Sequence, residues 1–435
     1  MKNLFFICFL AFISFNCKKN SNDVIPVLPT VNTASISSIT TVTAAGGGNI
    51  TADGGTAVTS RGVCWSTTAN PTTAGNRTND GTGTGTFTSA ITGLTAGTMY
   101  HVRAYATNSV GTAYGADITF TTALTNSLNI YVAGSAFNGT NDIATFWKNG
   151  VATSLTDGTN LGYANSVFAS GSDVYIAGTE RVGATWFAKV WKNGVSTNLS
   201  LGAALAGASS IFVSGADVYV TGFEKNATVG VAKVWKNGIA TNLTNGINDA
   251  QGKSVFVSGT DVYVAGLESN GTNYVAKIWK NGVATALTNG TSEAHANAVY
   301  VSGPDVYVAG EEFNGTVYIA KLWKNGIPVS LTNGTNIAYA NSVYVAGTDV
   351  YVAGSEVNNG TFGIAKIWKN GVATSLTNGT DFAEANSVFI LGSDVYVAGY
   401  ERVAGFYVGR LWKNGVASSL TNGSVSAFAY SVFVK

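Results

Sequence analysis

The sequence predicts an all-β protein in which a seven-bladed β-propeller of four-stranded blades follows a β-sandwich. The first observation is a sequence repeat of 44 residues that occurs seven times, with one spacing of 45 residues between Trp323 and Trp368. The second is an Asn-Gly turn at one fixed place in each copy, and the third is a different strand pattern before the copies begin. One tryptophan marks each copy: Trp147, Trp191, Trp235, Trp279, Trp323, Trp368 and Trp412.

Composition limits the classes of function. The 435 residues include 53 glycines and 5 prolines, and 11% are charged, so the chain is long enough for two domains and poor in helix-forming charged residues. The formal net charge is +1, and no run of basic residues follows Lys18 and Lys19. Nucleic-acid binding needs clustered basic residues to neutralise phosphates, so we expect no nucleic-acid partner. We expect a monomer.

The amino-terminal residues 1–17 join a positive start to an apolar run that is too short to span a bilayer, and they end at Cys17. The segment resembles a bacterial lipoprotein signal, which implies cleavage before Cys17, acylation of that residue and export to the outer membrane or cell surface. An ordinary secretory signal is the alternative. Polar residues 18–25 then form a flexible tether. Cys64 would be the one remaining thiol, a small buried core residue without a disulfide.

Residues 26–122 show short alternating strands separated by Gly, Thr and Asn turns, which predicts a β-sandwich. The stretch from Leu94 to Gly111 resembles the late strands of fibronectin type III domains, with Tyr100 at the place of their tyrosine-corner residue. Trp65 would be the core tryptophan. The resemblance is closest to versions in secreted proteins of Bacteroidota-type bacteria and implies a spacer or binding platform. Residues 123–128 are a linker.

Residues 129–435 hold the repeats, and each copy contains four strands, named A to D here. In one copy strand A is Ser-Val-Phe-Val from Ser254, and strand B is Asp-Val-Tyr-Val-Ala-Gly from Asp261. Strand C is Ala-Lys-Ile-Trp from Ala276, and strand D is Val-Ala-Thr-Ala-Leu from Val283. An Asn-Gly pair joins C to D, as in two-residue hairpins. Four short antiparallel strands per copy are typical of a propeller blade.

The two ends of the repeat region complement each other. The first copy begins at Asn129 without a strand A, and the chain stops at Ser431 to Lys435 with a strand A alone. Together they complete one blade, so we expect the carboxy-terminal strand to close the ring. An open solenoid would leave both ends exposed.

Repeated charges have a structural interpretation. Six copies carry a Glu after strand B and a Lys or Arg on strand C, whereas the first copy has Ala136 and Thr145 there. We interpret them as cross-strand pairs within each B–C hairpin rather than as a ring of metal ligands. We attribute the Asp that opens strand B to turn hydrogen bonding, and the tryptophans to packing between blades. The pairs join Glu180, Glu224, Glu268, Glu312, Glu356 and Glu401 to Lys189, Lys233, Lys277, Lys321, Lys366 and Arg410.

The copies differ mainly on the face that holds the B–C and D–A loops. Aromatic rings with polar groups suit protein or carbohydrate recognition, so we predict a binding site in loops there, just before strand A. Neutral drift of recently duplicated repeats is the alternative. Six predicted binding residues occupy the place where another copy has Gly207: Tyr163, Gln251, His295, Tyr339, Glu384 and Phe428. Trp186, at a B–C tip, is the seventh predicted binding residue.

These observations predict a non-catalytic surface or envelope lipoprotein that binds a protein or carbohydrate through its variable face. One alternative is a carbohydrate-active lyase or hydrolase, for which Glu293, His295 and Glu384 are the acid–base candidates. Another is an inert scaffold in an envelope complex. No Cys/His spacing suggests zinc and no Asp-rich loop suggests calcium, so we expect neither a metal nor a cofactor.

Overall fold

A computed structural model describes residues 25–123, 128–200, 202, 205–358 and 361–435. These residues form strands and no helix, so the part described holds no helix able to cross a membrane. The chain divides into two units between Ser127 and Leu128. The predicted signal with its Cys17, residues 18–24 of the predicted tether and residues 124–127 of the predicted linker lie outside the described residues.

The first unit consists of two antiparallel sheets around one hydrophobic core. One sheet has the order β1-β2-β5, and the other has the order β4-β3-β6-β7 with β8 also paired to β6. Trp65 and Cys64 are buried as predicted, and the backbone N–H of Thr95 donates to the Tyr100 hydroxyl over 3.0 Å. The strands are β1 Thr30–Thr33, β2 Ala44–Ala52, β3 Ser60–Ser66, β4 Asn76–Arg77, β5 Gly85–Ile91, β6 Met99–Thr107, β7 Thr112–Tyr114 and β8 Ile118–Thr121.

The second unit has a propeller-like repeat architecture of four-stranded antiparallel sheets, seven of them among its described residues. Sheet 1 joins β9 Ile130–Phe137, β10 Asp142–Lys148 and β11 Val151–Ser154 to the last strand, β36 Ala427–Val434. Sheet 2 has β12 Gly162–Ser170, β13 Asp173–Val182, β14 Thr185–Lys192 and β15 Val195–Asn198. Sheet 3 has β16 Ala206–Ser214, β17 Asp217–Lys225, β18 Gly230–Lys236 and β19 Ile239–Asn242.

The remaining sheets follow the same order of strands A, B, C and D. Sheet 4 has β20 Ala250–Ser258, β21 Asp261–Ser269, β22 Tyr274–Lys280 and β23 Val283–Ala286. Sheet 5 has β24 Ala294–Ser302, β25 Asp305–Phe313, β26 Tyr318–Lys324 and β27 Ile327–Ser330. Sheet 6 has β28 Ala338–Ala346, β29 Asp349–Asn358, β30 Phe362–Lys369 and β31 Val372–Ser375. Sheet 7 has β32 Ala383–Leu391, β33 Asp394–Val403, β34 Phe406–Lys413 and β35 Val416–Ser419.

The C–D turn explains the Asp that opens strand B. In sheet 4, Asn281 and Gly282 have φ of 51° and 82°, the two positive values that a type I′ turn requires. Asp261 Oδ1 accepts a hydrogen bond of 2.8 Å from Asn281 Nδ2, and its Oδ2 lies 2.7 Å from Lys280 Nζ. The predicted turn bonding therefore exists, and it ties strand B to the turn between strands C and D.

Tryptophans fill the interface between neighbouring sheets, as predicted. Trp279 is 0% exposed and shares a hydrophobic core with Tyr219 and Ala232 of the preceding sheet. All seven repeated tryptophans are at most 1% exposed. The six predicted ion pairs also form within their hairpins, with Lys233 Nζ 2.8 Å from Glu224 Oε2 as one example.

Each sheet of the second unit contacts the next, and sheet 7 contacts sheet 1. Strand β36 pairs with β9, with Val432 opposite Val132, so the last strand of the chain completes the first sheet. One aromatic side chain from each strand A also contacts the next, with ring centroids 4.7–5.0 Å apart. The sequence of these contacts is Phe168, Phe212, Phe256, Tyr300, Tyr344, Phe389, Phe433 and again Phe168.

Candidate functional site

The variable positions before strand A lie inside the strand, so their prediction as loop residues is wrong. His295 is the second residue of β24 and pairs with Glu311 of β25, because backbone pairing continues beyond a β-bulge at Asn297. Trp186 likewise lies within β14. We call these second residues and their strand B partners the rim: Tyr163 with Thr179, Gly207 with Phe223, Gln251 with Leu267, His295 with Glu311, Tyr339 with Ser355, Glu384 with Tyr400, and Phe428 with Ser135.

Sequence reasoning missed the strand B half of the rim. These residues stand directly before the repeated Glu and differ between most copies, from Phe223 to Glu311 to Tyr400. That variation was visible in the sequence.

His295 is held between two carboxylates. Its Nδ1 lies 2.8 Å from Glu311 Oε1, and its Nε2 lies 3.2 Å from Glu293 Oε1. Glu311 is only 4% exposed, and its other oxygen accepts a hydrogen bond of 2.6 Å from Asn297 Nδ2. Burial alone would lower the pKa of His295, but the hydrogen bond that it donates to Glu311 and the charges of both carboxylates raise that pKa above its ordinary value.

Three tyrosines extend this cluster along the rim. The rings of Tyr274 and Tyr318 lie 5.9 Å and 6.1 Å from the His295 ring, and Tyr339 lies 6.0 Å from Tyr318. The Tyr274 hydroxyl donates to Asp249 Oδ2 over 2.8 Å. The cluster thus combines half-buried aromatic rings with carboxylates whose positions are set by hydrogen bonds.

A second cluster surrounds Glu384 and Phe428. The Tyr400 hydroxyl donates to one Glu384 oxygen, and Asn341 Nδ2 donates to the other over 2.9 Å. Phe428 lies 4.9 Å from the Tyr400 ring and 5.0 Å from the Tyr407 ring. Glu384 is therefore a hydrogen-bonded part of an aromatic group.

Tyr163 and Trp186 form a third, smaller group. Their rings stack with centroids 6.1 Å apart, and the Tyr163 hydroxyl lies 3.4 Å from Asp142 Oδ2. Gln251 pairs with Leu267 along the backbone, and its side chain has no hydrogen bond among the described residues. Each predicted binding residue thus belongs to the rim or stacks against it.

The structure does not assemble the proposed acid–base set. His295 and Glu293 are in contact, but within the described ranges Glu384 bonds to Asn341 and Tyr400 and has no contact with His295. Glu311 takes the place that the sequence assigned to Glu384. Nor is any group of three His, Cys, Asp or Glu in the described part of the chain arranged to hold a metal ion.

A polar cavity is lined by strand A residues that follow the rim residues by two positions. It measures about 430 Å³ and is lined by the bulge residues of six different sheets, which sequence reasoning passed over. Lys253 is half-buried there, and no hydrogen bond or ion pair holds its amine within the described residues. Burial lowers the pKa of Lys253, against the charges of Glu311 and Asp249. We call this space the axial cavity; its lining is Asn165, Ser209, Lys253, Asn297, Asn386 and Tyr430.

Comparisons with known proteins find only distant structural similarity. No protein-family model matches the chain, and no curated protein matches it significantly. A puromycin-hydrolysing peptidase of Mycobacterium tuberculosis is 9% identical, with a TM-score of 0.41 over 66% of this chain and 53% of its own. This chain thus spans about half the length of that peptidase.

Two further solved structures have similarly low scores. TolB from Acinetobacter baumannii is 11% identical, with a TM-score of 0.39 over 62% of this chain and 74% of its own. A DUF4784 family protein from Bacteroides caccae is 9% identical, with a TM-score of 0.30 over 94% of this chain and 99% of its own. At these scores, the function has to be argued from the site itself.

Proposed function

We propose that the chain is a non-catalytic, lipid-anchored surface or envelope protein whose second unit is a closed seven-bladed β-propeller that binds a ligand at the rim. Closure is supported by the pairing of β36 with β9 and by the cyclic contacts of seven aromatic side chains. The first unit is a fibronectin type III-like spacer, supported by the bond between Thr95 and Tyr100 and by the buried Trp65.

One observation carries the binding function: the residues that distinguish the copies occupy one equivalent register in the sheets and form connected aromatic and polar clusters. The copies share their turns, ion pairs and interface tryptophans, which serve the scaffold. The rim instead holds His295, Tyr339, Glu384 and Phe428, each two positions before a bulge residue, and three of these four bulge residues line the axial cavity. Half-buried aromatic rings with carboxylates and amides beside them suit recognition of a protein or a carbohydrate.

The arrangement favours binding over the alternative of a carbohydrate-active enzyme. An acid–base pair needs two groups that face one substrate from separate positions. Here both ring nitrogens of His295 already face carboxylates, and Glu384 is bonded into another cluster. The inert scaffold remains the alternative that a binding experiment decides.

The anchor rests on the pattern of residues 1–17 and on Cys17. Production of the whole chain in a Gram-negative host should place it in the membrane fraction with an acyl modification detectable by mass spectrometry. A Cys17→Ala variant should lose both. Recovery of an unmodified chain in the medium or periplasm would favour an ordinary secretory signal instead.

The rim is tested by presenting the whole chain to a glycan array and to a panel of envelope and host-surface proteins. A rim variant carries Tyr163→Ala, His295→Ala, Tyr339→Ala and Phe428→Ala. A control variant carries four Val→Ala changes on the outer strands, at side chains that are 70–74% exposed: Val195, Val283, Val372 and Val416.

We expect the whole chain and the control variant to bind the same ligand and the rim variant to lose it, while thermal unfolding shows all three folded. Ligand binding by the rim variant would show that the binding site does not depend on these four rim residues. Absence of binding by all three would support the inert scaffold.

A further inference from the structure

The axial cavity is lined by strand A residues that have no pairing partner in strand B. In each strand A a β-bulge adds one residue that has no partner in strand B, as Lys253 shows between Gly252 and Ser254. Six of these extra residues, each from a different sheet, surround the same space on the axis. The cavity is therefore a consequence of the repeated backbone, and its chemistry depends on which side chain each copy places there.

Asparagines give this wall free acceptor atoms. Asn165, Asn297 and Asn386 donate through Nδ2 to a carbonyl of the next sheet, over 2.8 Å, 3.1 Å and 2.9 Å. A carbonyl only accepts, so the nitrogen must occupy that position and the amide oxygen is the atom left over. No donor among the described residues bonds these three oxygens. They are available to hydroxyl groups of a ligand.

Lys253 supplies the complementary donor. It replaces the asparagine that four other sheets carry, and its ammonium group has three donors and no acceptor. Partial burial without a partner costs free energy, which a ligand oxygen would recover. Ser209 adds a hydroxyl that both donates and accepts, and the Tyr430 hydroxyl, which is hydrogen-bonded to Ser135 Oγ over 3.2 Å, retains capacity for a further bond. A ligand that fits this wall needs several donors and at least one acceptor.

The charges around the cavity argue for an uncharged ligand. By their charges, five carboxylates raise the pKa of Lys253, His295, Tyr318 or Tyr430, and Lys253 is the one basic residue of the lining. An anion would be repelled by this excess of negative charge, and a cation would meet Lys253 inside. Hydroxyl groups both donate and accept without carrying charge. The five carboxylates belong to Asp142, Asp249, Glu293, Glu311 and Glu384.

The volume and lining of the cavity further restrict the class of ligand that it can bind. A volume of about 430 Å³ lies within the range of small-molecule sites, which is roughly 300–1,000 Å³. Tyr430 is the one aromatic residue of the lining, and an aromatic ring is a surface on which the C–H face of a sugar ring can pack.

We infer that the axial cavity binds one uncharged sugar ring, with Lys253 donating to a ring substituent and the asparagine oxygens accepting from its hydroxyls. This inference rests on the proposed ligand-binding function of the rim and names the ligand class. It makes Lys253 the residue on which selection of the ligand depends.

The chain itself offers the test variant. Lys253→Asn introduces the residue that four other sheets carry at the same place, at Asn165, Asn297, Asn341 and Asn386, so the fold accommodates it. Lys225→Asn is the control, because it removes the same charge from the end of a strand B outside the cavity. Isothermal titration of the whole chain uses neutral methyl pyranosides and N-acetylglucosamine as probes, with glucuronate and glucosamine as charged comparisons.

We expect at least one neutral sugar to bind, and Lys253→Asn to weaken that binding about tenfold or more, as for loss of a charge-assisted hydrogen bond. Lys225→Asn should change it less than twofold. Binding of glucuronate or glucosamine alone, or unchanged affinity in Lys253→Asn, would overturn the inference. If the rim variant loses ligand binding on the array but the Lys253→Asn variant retains it, the proposed binding function of the rim is supported and the proposed sugar site in the axial cavity is contradicted. Absence of any binding would overturn both.

Discussion

His295 shows at the residue scale how the rim combines burial with charge. The pKa of this imidazole is raised by Glu311 and Glu293 against the opposing effect of burial. A raised pKa means that the folded state binds the proton more tightly than the unfolded state. The resulting stabilisation is fully present below the ordinary value of 6.5 and is lost as the pH rises through the folded-state pKa.

Substitution of this histidine should therefore have a pH-dependent cost. We expect His295→Gln to lower the free energy of unfolding of the second unit more at pH 6 than at pH 9. Denaturant unfolding at both values measures the difference, and His295 is the one histidine after residue 128, so no other imidazole contributes. An equal loss at both pH values would mean that the two carboxylates do not hold the charged form.

The repeated ion pairs make a second residue-scale prediction. Glu268 and Lys277 are half-buried and in contact across the B–C hairpin of sheet 4. We expect Glu268→Lys or Lys277→Glu alone to destabilise the protein, since each leaves like charges in contact. The double exchange should recover most of that loss, and the pair should contribute about 0.2–1 kcal/mol. A double-mutant cycle by denaturant unfolding measures it, and purely additive losses would count against the pairing.

At the scale of elements, the sizes of the side chains that meet between neighbouring sheets are matched. Between sheets 2 and 3, Ala177 of strand B and Ala208 of the next strand A are both buried. Between sheets 3 and 4 the same places hold Thr221 and Gly252, and a Cβ on Gly252 would lie 2.1 Å from Thr221 Oγ1. The larger residue on one sheet is therefore accommodated by the smaller one on the next.

This match predicts compensation between two substitutions. Gly252→Ala alone should destabilise the protein by about 1–3 kcal/mol through overpacking. Thr221→Ala with Gly252→Ala recreates the pair between sheets 2 and 3 and should remove most of that cost. Denaturant midpoints of the single and double variants provide the measurement. A double variant no more stable than Gly252→Ala would show that the strain lies elsewhere.

Part of this element-scale organisation could be predicted from the sequence. The Asn-Gly turns, the ion pairs and the interface tryptophans recur at fixed spacing, so the repeat itself identified them. The bulge at Lys253 breaks the alternation of buried and half-buried side chains in strand A, but the residues before the break are small or polar, so no hydrophobic pattern in the sequence marks it. The location of His295 was missed for the same reason, since pairing beyond the bulge extends strand A past its apolar segment.

The proposed closure of the ring belongs to the scale of the whole molecule. The two incomplete copies at its ends predicted a shared sheet, and β36 pairs with β9 in that way. Ser431 Oγ also accepts a hydrogen bond of 3.2 Å from Val167 N in sheet 2, and Phe433 contacts Phe168 and Phe389 on either side. The sequence could not predict the axial cavity, because the cavity depends on six residues far apart in the chain.

Removal of the closing segment should affect the whole second unit. We expect deletion of residues 431–435 to lower the denaturant midpoint and to broaden the transition, since both neighbouring sheets lose an interface. Lys435→Ala keeps the backbone bonds to Asn129 and is the control. An unchanged, equally cooperative transition in the truncated protein would contradict closure.

The central claim is that the varying residues of a repeated scaffold form one ligand site around the axis. The most direct measurement is a crystal structure of the whole chain soaked with the neutral sugar that binds it most tightly. We predict a sugar ring in the axial cavity, within hydrogen-bonding distance of Lys253 Nζ and contacting the rim. A sugar bound on the outer strands or on the first unit, with the cavity holding only solvent, would contradict the account.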